Sequence, residues 1–190
     1  IGAFLMAMRF KMESVSELAA FTATARQYVA PLSIPKELAV VDVPSYAGKS
    51  ETFHSLIAGA IVAASAGAAI VMHGYDGIPG RPGAAGVLKA LGIPIDLDPK
   101  MAGAEVTKKG FVYLDIGMYH PPLYRFLEMR QEIGVRNLFH PIARLLNPSR
   151  AAAQVVGLSH PPHFEKTAEV LRMLGCPRAL VIRGVEGDPE

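Results

Sequence analysis

The stretch from Val40 to Leu91 constrains the fold of this 190-residue chain more than any other part. Short runs rich in Val and Ile alternate there with longer runs rich in Ala and Leu, and Gly or Pro stands between them. Because β-branched residues favour strands and alanine favours helices, the order is strand, helix, strand, helix, with a loop at each junction. This order predicts a parallel sheet whose strand-end loops line a ligand cleft.

The same alternation continues towards the end of the chain. After a weak helix over residues 99–108, strands are expected at 111–116, 154–158 and 179–182, with a helix over 162–174. The fold class predicted is therefore α/β, with a mostly parallel sheet flanked by helices.

Two helical segments interrupt this alternation. Residues 1–34 carry apolar side chains at helical spacing and end in a proline-containing linker, and residues 119–148 form a mid-chain helical insertion. We predict that the two segments pack together as a small helical lobe. The α/β lobe then comprises residues 35–118 and 149–190, and the cleft between the lobes lies at the carboxyl ends of the strands.

Composition limits the environment and the partners of the chain. Hydrophobic residues make up 51% and charged residues 19%, a balance that favours surface hidden in an oligomer. The net charge of +2 is too small to indicate nucleic-acid binding by itself. The single cysteine, Cys176, excludes an internal disulfide and is consistent with a reducing cytoplasm, where we expect the protein to reside.

One uncharged run, Leu56 to Met72, has nearly the length of a membrane span. Gly67 divides it into an alanine-rich part and a β-branched part, so a helix followed by a buried strand explains it better. No aromatic belt or flanking lysine cluster accompanies the run. We therefore expect no membrane partner.

Four collinear blocks of the sequence carry a family resemblance. They read GAFLMAMRFKMES, HG followed by a Gly/Pro loop and GAAGVLKALGI, MRQEIGVRNLFHPIARLLNP, and AEVLRMLGCPRALVIRGVEG. Together they resemble the anthranilate phosphoribosyltransferase family (glycosyltransferase family 3). Both ends look cut, so the chain resembles a fragment of a full-length member. The resemblance implies a homodimer that binds phosphoribosyl pyrophosphate and magnesium between two lobes, where anthranilate attacks the ribose carbon.

The pyrophosphate turn of the family is altered in this chain. The segment that corresponds to the glycine-rich turn of the family has the sequence PSYAG here, at residues 44–48. Proline removes an amide donor, Tyr46 adds bulk, and the acidic position becomes Gly48. Two further family positions that offer hydroxyls to phosphate and metal read Leu56 and Ile57. We expect these changes to remove the pyrophosphate seat.

Other positions keep part of the family's chemistry. His73 and Gly74 match the family block, but the asparagine that helps to bind anthranilate there is Tyr75 here. A loop lysine is replaced by Arg81, whose planar fork suits phosphate. Arg130 and Arg136 match two family arginines, the first of which faces the aromatic carboxylate. Ser45, Gly48 and Lys49 after the first strand also form a weak anion-binding turn. The candidate ligand-binding residues are therefore Ser45, Gly48, Lys49, His73, Gly74, Tyr75, Arg81, Arg130 and Arg136.

Each candidate also has a structural alternative that the sequence leaves open. His73 could hydrogen-bond the next loop, Arg81 could be a solvated loop charge, and Arg130 could pair with a local glutamate. No residue is assigned a catalytic role.

No cofactor is expected, and magnesium only if transferase activity remains. The metal-holding Asp-Glu pair of the family falls on Pro189 and Glu190, with Asp188 beside it, so one of two carboxylates is kept. The histidines at 120, 160 and 163 fit no zinc spacing, so no metal site is predicted.

A second resemblance lies within the first. The PSY-x-G loop and the later MR, GVRN and H residues look like the YbiB-like paralogues of the family, which keep the fold, lack the substrate turn and are associated with nucleic-acid binding. We therefore expect the cleft to bind a phosphate-bearing small molecule or single-stranded nucleic acid without anthranilate phosphoribosyl transfer. The alternative is an active transferase that moves a phosphoribosyl group to an aromatic amine or base. A scaffold or dimerisation module without a ligand is a third interpretation.

Overall fold

The computed structural model describes residues 1–188 of the chain. Within these residues the strands are β1 (Val40–Ser45), β2 (Ala69–Gly74), β3 (Phe111–Asp115), β4 (Ala153–Leu158) and β5 (Arg178–Arg183). They form one parallel sheet in the order β3-β2-β1-β4-β5. The prediction of an α/β fold with a mostly parallel sheet flanked by helices is confirmed.

The direction in which strands are added reverses beside β1. From β1 the chain moves outward to β2 and β3, and it then crosses back to place β4 on the other side of β1. The β1–β4 register covers only Val41 with Ala153 and Asp42 with Gln154, so it stops before the carboxyl ends of the two strands. Parallel sheets bind ligands outside the carboxyl ends of their strands at such a reversal.

Helices cover both faces of the sheet. In the described part of the chain they are α1 (Gly2–Lys11), α2 (Val15–Arg26), α3 (Ser55–Ser65), α4 (Ala84–Ala90), α5 (Pro99–Lys109), α6 (Ile116–Tyr119), α7 (Pro121–Ile133), α8 (Phe139–Arg144) and α9 (His163–Met173).

Local chemistry fixes where several of these helices begin and end. Ser14 and Glu17 form a capping box at the start of α2, each side chain accepting from the backbone amide of the other. Helix α5 begins after Asp98, which accepts from the Lys100 amide at 2.8 Å, and ends at the left-handed Gly110. The segment expected to be a weak helix is therefore a full helix, because both of its ends are capped.

The two faces of the sheet pack against different helices. Val71 and Leu114 belong to a core shared with α1, α2, α5, α7, α8 and α9. Ile70, Met72 and Tyr113 point to the opposite face, where they pack with α3 and α4. The helical segments within residues 1–34 and 119–148 thus share one hydrophobic core with the sheet. That they form a separate lobe stays a prediction.

The uncharged run of residues 56–72 divides as expected. Helix α3 ends at Ser65, Gly67 has a φ of 97°, and all six residues of β2 are buried. Within the described residues, no helix reaches the length and apolarity that a membrane crossing requires.

Candidate anion-binding site

A cavity of about 290 Å³ opens where the strand order reverses. Tyr46, which follows β1, and Leu158, which ends β4, both line it. Its other walls come from α1, from the connection between α7 and α8, and from α8 and α9. The cavity therefore lies between the carboxyl edge of the sheet and the helices packed over it.

The walls of this cavity are rich in positive charge. Arg9, Arg136, Arg144 and Lys166 line it, and Lys166 is paired with Glu13 at 2.9 Å. Across residues 1–188, none of the three arginines forms an ion pair. Uncompensated cations around a recess raise the local concentration of anions.

The protonation of the site reflects this crowding of cations. Burial, followed by the charges of Arg130 and Arg136, lowers the pKa of His140 from 6.5 to about 3. Burial, followed by Arg144 and Arg130, lowers the pKa of Arg136 from 12.5 to about 10. His140 is therefore neutral at pH 7, while the arginines remain charged and repel one another.

Three polar atoms of these side chains lack a partner. Arg130 Nη1, Arg144 Nε and His140 Nε2 are buried without a hydrogen bond to any described residue. A buried donor without an acceptor costs free energy, and most of all when it carries charge. An anion that reached them would relieve this cost.

A buried polar network lies beneath the cavity. His73 Nε2 lies 3.2 Å from Asp42 Oδ1, and Gln154 Nε2 donates to Asp42 Oδ2 at 2.8 Å. The hydroxyls of Tyr46 and Tyr119 each lie 2.9 Å from His73 Nδ1 and 2.5 Å from each other. A carboxylate at Nε2 favours the tautomer protonated there, which leaves Nδ1 to accept from a tyrosine.

Tyr46 fills the space next to His73. Its side chain is 4% exposed, and burial followed by the nearby Tyr119 holds its pKa well above the usual value. The phenol therefore keeps its proton at neutral pH. The resemblance predicts a bare glycine at this position, so an aromatic ring here occupies volume that a glycine would leave open.

The loop after β1 is bonded to the segment after β5. Ser45 Oγ donates to Asp188 Oδ2 at 2.5 Å, and Lys49 Nζ donates to the Asp188 carbonyl at 3.3 Å. Gly48 accepts from Arg81 Nη2 at 3.1 Å. These four candidates, Ser45, Gly48, Lys49 and Arg81, are thus brought together at the carboxyl edge.

Glu186 supplies the other contacts of this loop. Its Oε1 accepts from the Ser50 amide at 3.0 Å, the Ser50 hydroxyl at 2.9 Å and Arg81 Nη2 at 3.0 Å. Its Oε2 accepts from the amides of Glu51 at 3.3 Å and Thr52 at 2.9 Å and from the Thr52 hydroxyl at 2.6 Å. The Thr52 hydroxyl, followed by the Ser50 amide, holds the pKa of Glu186 well below its usual range. The loop therefore binds an anion, and that anion is a carboxylate of the chain itself.

Gly74 and Tyr75 lie apart from these donors. A Cβ at Gly74 would stand 2.4 Å from the Ser45 carbonyl oxygen and 2.7 Å from the Tyr113 hydroxyl, so close packing requires glycine there. Tyr75 is 2% exposed, and its hydroxyl bonds to Glu128 and to the Gly77 carbonyl. Tyr75 thus packs towards α7 rather than facing the cavity.

The contacts of three candidates differ in detail from their structural alternatives, although those of His73 and Arg81 are contacts within the protein. His73 bonds to Asp42 and two tyrosines rather than to the next loop. Arg81 is bonded to Gly48 and Glu186 rather than solvated. Arg130 forms no ion pair with another described residue, and it lies near Arg136, which lines the cavity.

Several residues of the site carry no signal that the sequence analysis used. Glu186 and Asp42 are the clearest, because their partners are distant along the chain. Arg144 is not among the candidates of the sequence analysis, and His140 enters there only through the second resemblance. The run of basic residues and histidine over 136–144 is the signal that could have marked this wall.

Within residues 1–188, the acidic side chains near the β1 loop are engaged in hydrogen bonds. Among residues 1–188, no group of three His, Cys, Asp or Glu side chains could hold a metal ion. The carboxylates nearest the β1 loop, Glu186 and Asp188, already accept hydrogen bonds from it. The Asp-Glu pair predicted at 189–190 lies outside the described residues.

Comparison with known proteins agrees with this architecture. Residues 39–190 match the model of the glycosyl transferase family, α/β domain. The fold and the matched domain together define a glycosyl transferase α/β domain with helices packed over its sheet.

Relatives and solved structures narrow the family. The chain is 38% identical to an anthranilate phosphoribosyltransferase of Methanocorpusculum labreanum, over 97% of this chain and 54% of that protein. It is 32% identical to one of Burkholderia mallei, over 100% of this chain and 55% of that protein. The Thermus thermophilus enzyme structure superposes with a TM-score of 0.86 at 30% identity, covering 100% of this chain and 57% of the other.

A Saccharomyces cerevisiae enzyme, solved with PRPP and Mg, shares the fold with a TM-score of 0.85 at 19% identity, over 98% of this chain and 53% of that one. The chain belongs to the anthranilate phosphoribosyltransferase family of glycosyl transferases, as the resemblance predicted. It spans about half the length of the curated relatives it matches.

Proposed function

We propose that the cavity at the strand reversal binds a phosphate-bearing ligand. The observation that carries this proposal is the set of unpaired arginines, Arg9, Arg136 and Arg144, around one recess. The unpartnered buried donors of Arg130, Arg144 and His140 support it, because a phosphate oxygen would satisfy them. A nucleotide or a single-stranded nucleic acid presents such an anion.

We further propose that this binding occurs without phosphoribosyl transfer to anthranilate. Tyr46 occupies space beside His73, and the described carboxylates near the β1 loop are bonded to that loop. Both features oppose the binding of a pyrophosphate with its metal. Loss of several preorganised electrostatic groups together slows a reaction by orders of magnitude.

The second candidate is phosphoribosyl transfer, and the comparisons favour it over binding alone. The two relatives reported above are named anthranilate phosphoribosyltransferases, and one of them is 38% identical to this chain. Nothing in these relatives points to nucleic-acid binding or to loss of activity. This chain spans about half the length of that relative, so residues that hold the substrate and the metal in a full-length protein need not all lie within it.

Calorimetry on the whole protein separates the two candidates. The probes are phosphoribosyl pyrophosphate with magnesium and a single-stranded oligodeoxynucleotide, each titrated into wild type, Arg144→Met and Arg172→Met. Arg172 is the matched control, because it is exposed at the end of α9 that lies away from the strand carboxyl ends. For oligonucleotide binding, we expect a loss of about tenfold or more for Arg144→Met and no change for Arg172→Met.

The outcomes of this experiment distinguish binding to nucleic-acid phosphates from phosphoribosyl transfer. Oligonucleotide affinity that falls steeply with salt supports binding to phosphates. Magnesium-dependent binding of the sugar phosphate, with product formed from anthranilate, would establish the transferase instead. Equal affinities for the two variants would show that the cavity is not the binding site. A homodimer remains part of the proposal, and light scattering on the whole protein tests it.

A further inference from the structure

The seat of Glu186 offers more donors than a carboxylate can use. Six donors from Ser50, Glu51, Thr52 and Arg81 lie within 3.3 Å of its two oxygens. Two carboxylate oxygens present only about four lone-pair positions. A phosphate monoester presents three terminal oxygens and more charge, so it matches this number of donors better.

Arg81 is held in place to serve this seat. Its Nη2 bonds to the carbonyls of Gly48 and Glu186 as well as to the Glu186 carboxylate. A Cβ at Gly48 would lie 2.4 Å from the Arg81 carbonyl oxygen, so the two loops touch through their backbones. Arg81 Nε is buried and has no partner among the described residues. One further donor is therefore available beside an occupied anion seat.

The segment that brings Glu186 to the seat has few apolar anchors. It runs over residues 184–188, with Gly184 at its start and Gly187 in a left-handed conformation at a φ of 108°. Val185 is 65% exposed, so its side chain does not fix the segment in the core. The segment is held by polar contacts, and those of Glu186 are contacts that another anion can replace.

The same segment stands between the seat and the cationic cavity. A Cβ at Gly187 would lie 3.1 Å from Ala47 Cβ and 3.3 Å from an Arg144 guanidinium nitrogen. Movement of residues 184–188 would therefore open the seat and at the same time uncover Arg144. The seat and the cavity would then form one continuous anion site.

We propose that residues 184–188 are a strap that closes a phosphate seat, with the Glu186 carboxylate as an internal competitor for the ligand. The seat consists of the amides and hydroxyls around Ser50 and Thr52 together with Arg81. A phosphate monoester group binds there by displacing Glu186, so its apparent affinity depends on how readily the strap releases. This extends the proposed function, because it adds a second anion position beside the cavity.

The test measures inorganic phosphate binding to the whole protein by calorimetry. Glu186→Gln keeps the size of the side chain and removes its charge, so phosphate affinity should rise about tenfold. Glu37→Gln is the matched control, because it removes the same charge from an exposed side chain that precedes β1, at the opposite end of that strand from the seat, and it should leave affinity unchanged. Adding Arg81→Ala to Glu186→Gln should abolish the gain.

Several results would contradict the proposal that residues 184–188 act as a strap. Unchanged affinity in Glu186→Gln, or an equal gain in Glu37→Gln, would show that Glu186 does not compete. A gain that survives Arg81→Ala would place the phosphate elsewhere. If the variants do not fold, hydrogen exchange on wild type decides, because phosphate should speed exchange over residues 184–188 and unchanged exchange contradicts the strap. Failure of the proposed cavity would appear instead as an insensitivity of oligonucleotide binding to Arg144→Met.

Discussion

Gly48 shows how one residue couples two loops of the site. Its φ of 64° is in the left-handed region, where a side chain costs roughly 1–2 kcal/mol. The space is also closed, because a Cβ would stand 2.4 Å from the Arg81 carbonyl oxygen and 2.9 Å from Arg81 Cβ. Backbone lies in the way, so no rotamer change relieves the contact. A glycine is therefore required here for two independent reasons.

Gly48→Ala is expected to lower the free energy of unfolding by about 3 kcal/mol, through backbone strain and through displacement of the Arg81 loop. Gly80→Ala isolates the strain, because Gly80 has a φ of 70° and nothing within 4 Å of its Cβ position. The control should cost about 1 kcal/mol. Urea denaturation measures both, and equal losses would show that the loops can separate freely.

At the scale of elements, the capping box of α2 joins a local sequence pattern to the packing of the first helices. Ser14 Oγ accepts from the Glu17 amide at 3.2 Å, and the Glu17 carboxylate accepts from the Ser14 amide at 2.9 Å. Helix α2 then buries Leu18, Ala19 and Thr22. A cap at this point sets where the helix begins and which face meets the core.

Ser14→Ala should lower the free energy of unfolding by about 1 kcal/mol, because the Glu17 amide loses its acceptor. Thr24→Ala is the control on the same helix, since Thr24 is exposed and bonds only back to the Ala20 carbonyl. That substitution should change stability by less than about 0.5 kcal/mol. Thermal unfolding of both variants at pH 7 gives the comparison, and equal losses would contradict a capping role.

The carboxyl side of this cap predicts a dependence on pH. The Lys11 side chain, followed by the Ser14 amide and hydroxyl, lowers the pKa of Glu17 from 4.5 to about 2. A carboxyl whose folded pKa is lowered stabilises above its unfolded pKa, and this stability is lost as pH falls through the folded value. The cost of Glu17→Gln, measured by thermal unfolding, should therefore be complete above about pH 4.5 and should shrink towards pH 2.

Helices and strands were predictable from the sequence where the hydrophobic periodicity and the positions of Gly and Pro agree. Gly67 separates α3 from β2, as expected, and Gly92, with a φ of 76°, follows the end of α4. Helix α6 was not predicted, because four residues are too short to show a helical period. Its cap, Asp115 accepting from the Gly117 amide at 2.7 Å, is the only local signal identified for it within the described chain.

At the scale of the whole molecule, the sequence predicted where the cavity lies but not which side chains line it. Parallel strands predict a cleft at their carboxyl edge, and the cavity and the anion seat both lie there. The seat joins Ser50 to Glu186 across 136 residues, and Gln154 meets Asp42 across 112 residues. No local pattern encodes such pairs. The altered turn could be recognised from the sequence. The hydrogen bonds between the Glu186 carboxylate and the loop after β1 are apparent only from the structure.

The tyrosine pair around His73 ties the sheet edge to the mid-chain helices. Tyr46 follows β1, Tyr119 ends α6 just before α7, and their hydroxyls meet at 2.5 Å. Tyr119 also accepts from the Ala30 amide through its carbonyl at 2.8 Å, which links the end of the first helical segment to the same point. Both hydroxyls are buried and both lie 2.9 Å from His73 Nδ1, so either tyrosine alone can donate a hydrogen bond to that nitrogen.

A double-mutant cycle with Tyr46→Phe and Tyr119→Phe measures this link. Each single change should cost about 1 kcal/mol, because the hydrogen bond between the two hydroxyls is lost while the remaining tyrosine still donates to His73 Nδ1. The double variant should be less stable than the sum of the singles predicts by about 1 kcal/mol, since the buried His73 Nδ1 then has neither tyrosine to donate to it. Tyr28→Phe is the control, because Tyr28 is 64% exposed and should change nothing measurable. Additive losses in urea denaturation would mean that the two hydroxyls act separately and that this network does not couple the helices to the sheet.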